Sequence, residues 1–167
     1  MRRRLIGLAL AATLLAGPTR AADYQAGVLA YDRGDFPRAL AEFRPLCERG
    51  NAGAEFMLGA MYFYGKGVPA DPSVAAVWFF KAARQGNASA QLAFGSLHIR
   101  GLGVKQDLVR AQMWLSLAAD SDIPELAQQA VILRDEAARL TTQEERDLAH
   151  QMAQGWRPQK SRYTGSD

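Results

Sequence analysis

The residues best suited to chemistry in this chain come in pairs 36 positions apart. Gly65-x-Gly67 and Gly101-x-Gly103 have the look of loops that cradle phosphate. Such loops work where a strand runs into the N-terminus of a helix and backbone N–H groups converge. Here both follow helical patterns, and Val68-Pro69 stands where a phosphate loop needs Ser or Thr. Asp71 and Asp107 are the recurrent acids, and each precedes an apolar helical run, the place of an N-cap. Trp78 and Trp114 offer flat faces to a sugar or a base, but Ala82 and Ala118 one turn further on place both rings in the core. His98, His150 and Cys47 are ligand types scattered over different segments, which is not the spacing of a metal site. No Ser or Cys has a nucleophile's signature around it. The sequence therefore points to no catalytic residue, no cofactor and no metal.

The elements that would carry these residues are written twice. Aligned without gaps, residues 51–86 and 87–122 are identical at 12 of 36 positions. The shared residues are mostly Gly, Ala, Asp and Trp, which set turns and close packing. A fixed period of this length marks a repeat architecture. Within each copy the pattern is helix, glycine-rich reversal, capping Asp, helix. Ala52 to Tyr64 is followed by Pro72 to Gln85, and Ala88 to Arg100 by Leu108 to Ala119. Gly59 and Gly95 lie inside the first helices, where glycine costs about 1 kcal/mol against alanine. Their recurrence predicts a close approach of another helix.

Flanking segments extend the plan. Asp23 to Arg33 and Pro37 to Arg49 form an earlier hairpin, broken by Gly34-Asp35-Phe36-Pro37. Pro45 is a local fault within it. In the 36-residue register Cys47 falls on Ala83, so it reads as a packing residue. At the other end, Pro124 to about Leu140 and a helix from Thr141 or Thr142 to Gln154 form a more polar capping pair. The expected class is all-α, an α-solenoid of antiparallel helix hairpins with a C-terminal capping helix pair. Hairpins fall at about 23–50, 51–86 and 87–122, the cap at 123–155, and a flexible tail at 157–167.

Residues 1–21 read as a secretory signal peptide: Arg2 to Arg4, an apolar run from Leu5 to Ala16, then Thr19-Arg20-Ala21. Twelve apolar residues are too few to span a bilayer as a helix. Cleavage after Ala21 would leave a mature chain from residue 22 with no membrane span, in the periplasm or secreted. It also changes the charge. The chain has 20 Lys and Arg against 17 Asp and Glu, but four of the arginines lie in the leader. The remainder carries 16 against 17, a net −1. The basic pI of 9.2 thus reflects the leader and gives no ground for a nucleic-acid partner. A lone cysteine allows no intramolecular disulfide.

The run Ala54-x3-Leu58-Gly59-x2-Tyr62-x2-Gly65-x-Gly67-Val68-x2-Asp71-x3-Ala75-x2-Trp78-x3-Ala82-Ala83-x2-Gly86 resembles a Sel1-like repeat, a relative of the tetratricopeptide repeat. The second copy matches at Ala90, Gly95, Gly101, Gly103, Val104, Asp107, Ala111, Trp114, Ala118 and Ala119, and departs at Phe94, His98 and Asp122. The hairpin containing Gly34-Asp35-Phe36 is more similar to a tetratricopeptide pair. The resemblance implies a non-enzymatic adaptor that holds other proteins, and exported members resemble regulators of envelope signalling. A cysteine-rich branch linked to muropeptide binding carries a disulfide in each repeat, which one cysteine cannot supply.

In a solenoid of this kind the first helices line the concave surface. Phe56, Ala60 and Phe63 lie opposite the core stripe of Ala54, Leu58 and Tyr62, and Leu92, Ser96 and Ile99 take the same places in the second copy. The copies differ most at Phe56 against Leu92, Phe63 against Ile99 and Tyr62 against His98. These six are the candidate contacts for a protein or peptide partner of the cell envelope. A cell-wall-binding protein or hydrolase-like enzyme is the alternative, and self-association through the same stripe a third reading. The oligomeric state is left open.

Overall fold

Side chains that can close a first turn decide where the helices begin. The computed structural model describes residues 22–159; the expected leader and residues 160–167 of the expected tail lie outside them. Asp23 accepts from the N–H groups of Gln25 and Ala26 at 2.9 and 3.2 Å, starting α1 (Tyr24–Asp32). Asp35 does the same for α2 (Phe36–Glu48), which continues through Pro45. Asn51 and Asn87 accept from Ala54 and Ala90 at 2.8 and 2.9 Å and start α3 (Ala52–Tyr64) and α5 (Ala88–Arg100). Asp71 and Asp107 start α4 (Pro72–Arg84) and α6 (Leu108–Ala119). α7 (Pro124–Ala138) begins at Ile123 with no side-chain cap, and α8 (Gln143–Gly155) begins with a capping box between Thr142 and Glu145. Caps of this type contribute about 1 kcal/mol each. No strand occurs among the described residues.

The helices pack as consecutive hairpins: α1 on α2, α3 on α4, α5 on α6, with α2 against α3 and α4 against α5 joining them. Gly59 and Gly95 each permit close approach within their hairpin. A Cβ on Gly59 would lie 2.7 Å from the Phe79 ring and 3.3 Å from the Ala75 carbonyl oxygen. One on Gly95 would lie 2.8 Å from Leu115 and 3.2 Å from the Ala111 carbonyl oxygen.

The seams between hairpins use the loop glycines. Gly67 seats its backbone on Phe36, the first residue of α2, where a Cβ would come within 2.6 Å. Gly103 seats on Pro72, the first residue of α4, where a Cβ would overlap the carbonyl group. Both turns are in the left-handed region, with φ of +74° and +69°. Each reversal loop therefore rests on the start of the second helix of the hairpin before it. This accounts physically for the glycines and excludes the phosphate-loop reading.

The core follows the stack. Phe43, Leu46, Leu58 and Met61 join the first hairpin to α3; Phe79, Ala82, Ala83, Phe94 and Trp114 join α4, α5 and α6; Leu115, Ala118 and Ala130 join α6 to α7. Phe43, Leu46, Met61 and Leu115 are fully buried, each contributing about 1.5–3 kcal/mol. The two tryptophans differ. Trp114 is 6% exposed, in contact with Phe80, Phe94 and Trp156. Trp78, expected in the core, is only partly buried, and Lys81 Nζ lies 3.8 Å above its ring. In the 36-residue register Arg44 and Leu58 stand where Trp114 has Phe80 and Phe94, so Trp78 has no aromatic box.

α7 and α8 both lie against α6. Met152, Ala153 and Trp156 pack onto the Trp114 cluster. Arg157 to Gln159, grouped by sequence with the tail, follow α8 outside any helix and are tied back to the repeats: Gln159 donates its N–H to the Arg84 carbonyl at 2.8 Å, at the end of α4.

Candidate functional site

First helices α3, α5 and α7 share a face, and between them runs a groove of about 610 Å³. Its wall from α3 is Phe56, Ala60, Phe63 and Tyr64; from α5, Leu92, Ser96 and Arg100; from the α7 end, Ile123, Leu126 and Gln129. The Phe79 ring is its floor, with centroid distances of 5.7 Å to Phe56 and 6.4 Å to Phe63. Phe56, Phe63 and Leu92 are half-buried, whereas Tyr64 and Ile123 are exposed. Arg100 and Glu125 place one charge of each sign at the margin. Ser96 spends its hydroxyl proton on the Leu92 carbonyl at 2.8 Å. What remains is an apolar trough with few committed polar groups, the lining that takes an apolar segment of a partner.

Of the six residues expected on this face, Phe56, Phe63 and Leu92 come together in the groove. Ile99 instead packs with Leu92 against Leu115, Ala118 and Ala130, closing the seam between α5 and α7. Tyr62 and His98 turn away from it. Tyr62 packs between the two larger core clusters. His98 is 4% exposed, its ring 4.7 Å from that of Phe94 and its Nδ1 3.2 Å from the Lys105 carbonyl, to which it donates. Burial holds its pKa below 6.5, partly offset by that bond. Both residues brace the reversal loop that follows them: the Tyr62 carbonyl accepts from Asp71 N–H at 2.9 Å, the His98 carbonyl from Asp107 N–H at 3.1 Å. Sequence difference between copies at this position reflects different packing, not exposure.

The α7 side of the groove was missed. Ile123 falls 36 residues after Asn87, so α7 starts in the register of a third first helix. The Asn and Gly identities that flag the register are gone there, and only the spacing could have revealed it. Outside the groove, Cys47 is buried, and burial together with the nearby Glu55 pushes its thiol up to about 12, far from a reactive thiolate. Among the described residues no three His, Cys, Asp or Glu side chains gather as a metal site would need. Nor is any described helix long and apolar enough to cross a membrane.

The fold and the groove together define a helical-hairpin repeat protein. Residues 52–87 and 88–123 each match the Sel1 repeat, so the chain carries two Sel1 repeats. Its fold is similar to that of c5321, a protective antigen present in uropathogenic Escherichia coli strains and displaying an SLR fold, with a TM-score of 0.73 and 29% identity over 78% of this chain. It is also similar to a Sel1 repeat protein from Oxalobacter formigenes, with a TM-score of 0.59 and 22% identity over 75% of this chain. The match covers 28% of the first of these and 57% of the second, so this chain spans a part of the length of each. No curated protein matches the sequence.

Proposed function

We propose that this protein is a non-catalytic interaction module of the cell envelope, holding an apolar segment of a protein or peptide partner in the groove across α3, α5 and α7. The observation that carries this reading is the trough itself, with Phe56, Phe63 and Leu92 half-open over the Phe79 floor. Sel1 repeats are of a kind that typically mediates protein interactions, and the signal-like pattern of residues 1–21 supports export. So does the likeness to an antigen. The margin residues Arg100 and Glu125 would orient a partner more than hold it, since exposed charges contribute little affinity.

The test is retention of partners from envelope extract on the immobilised chain, comparing wild type with Phe63→Asp and Leu92→Asp. A protein retained stoichiometrically by wild type and lost from both variants, with helical circular dichroism unchanged, is the expected result. Retention of cell-wall fragments in place of protein overturns the reading.

A further inference from the structure

The joint between α2 and α3 differs from its counterpart between α4 and α5 in the polar side chain buried there, Glu55 against Gln91. In the second copy, Gln91 is 3% exposed and its Nε2 donates to the Ala83 carbonyl at 3.2 Å, tying α5 to the preceding helix. Both joints otherwise share their bonds. Gly50 and Gly86 donate to Cys47 and Ala83 at 3.0 Å each, and Asn51 and Asn87 donate to Leu46 and Ala82 at 3.0 and 3.2 Å. In this register the partner of residue 55 is the Cys47 carbonyl. But residue 55 is Glu, isosteric with Gln, 4% exposed, and unable to donate as a carboxylate. It accepts instead from Gln85 Nε2 at 2.6 Å. That leaves Gln85 Oε1 the one buried side-chain polar atom without a hydrogen-bond partner among the described residues. A cavity of about 320 Å³ adjoins the same joint.

We propose that Glu55 is a proton-operated latch: as the acid it donates to the Cys47 carbonyl and ties α3 to α2 as Gln91 ties α5 to α4, and as the carboxylate it releases that tie. The groups facing it are Cys47 and Glu48 from α2 and Lys81, Arg84 and Gln85 from α4. Burial pushes the carboxyl up from 4.5 to about 7, against the opposing pull of Lys81 and the Gln85 bond. The folded chain thus holds a proton that the unfolded chain gives up. The Glu55 contribution to stability is full below about pH 4.5 and is lost as pH rises toward 7. Acidification tightens the hairpin α1–α2 onto the repeats, and neutral pH loosens it.

Two reciprocal variants test this on the full chain: Glu55→Gln, which installs the permanent donor, and Gln91→Glu, which moves the latch to the second joint. Thermal unfolding from pH 5 to pH 8 reads the result. Wild type is expected to lose roughly 5 °C or more of Tm over this range beyond Glu55→Gln, and Gln91→Glu to lose more than wild type. Hydrogen exchange at the first joint, around Cys47 to Glu55, should be pH-sensitive beyond its intrinsic rate in wild type and not in Glu55→Gln. An unchanged Tm slope in Glu55→Gln, or no added slope in Gln91→Glu, overturns the proposal.

Discussion

Gly103 sits on the carbonyl group of Pro72, leaving no room for a Cβ, and its φ of +69° is one that L side chains rarely adopt. Gly34 has a comparable φ of +77° but open space around it. Gly103→Ala is therefore expected to cost about 2–4 kcal/mol, the left-handed penalty plus a displaced seam. Gly34→Ala should cost only the first part, about 1–2 kcal/mol. Urea denaturation of the two variants separates them, and equal costs would show that the seam is not tight.

The tryptophans should part company in the same assay. Trp114→Ala empties an aromatic box and is expected to lose about 3–5 kcal/mol. Trp78→Ala removes a partly exposed ring and one stacked ammonium, and no more than about 2 kcal/mol should go with it. Chemical unfolding with matched m-values would measure both.

His98 predicts a pH effect opposite in sign to that of Glu55. Its folded pKa is depressed by burial, so the unfolded chain binds the extra proton. Stability is present above the ordinary 6.5 and is lost as pH falls below it. His98→Tyr, which installs the residue found at position 62, should flatten the acid side of the Tm profile. A wild-type acid slope persisting in that variant would assign the effect to another group.

Helices α1 to α6 were legible because their signals are local. An Asp or Asn before an apolar run fixes each start, and for α1 to α5 a glycine just after the run fixes the end. The half-groove from α3 and α5 was legible from the 3.6-residue period, which separated Phe56, Phe63 and Leu92 from the core stripe. Ile99 was not, because α7 covers it, and α7's place depends on packing against α6 over long range. Trp78 looked equivalent to Trp114 in sequence, yet its surroundings come from another hairpin that supplies Arg44 where the next supplies Phe80. Glu55 carried no signal by itself. Its meaning appears only when Gln85, thirty residues away, is seen to face it.

The loop seats have an architectural consequence. Gly67 meets the Phe36 side chain and Gly103 the Pro72 backbone, and the residue that receives the glycine is the same helix position in each hairpin. A 36-residue unit thus brings with it both the plug and the socket. Copy number can therefore change by whole units without redesign of either junction. A gene duplicating residues 51–86 in place should produce a longer spiral with an extended trough, still closed by the same α8 end-piece. Reach along a partner is then a quantity set by counting units, while the geometry of each junction stays constant.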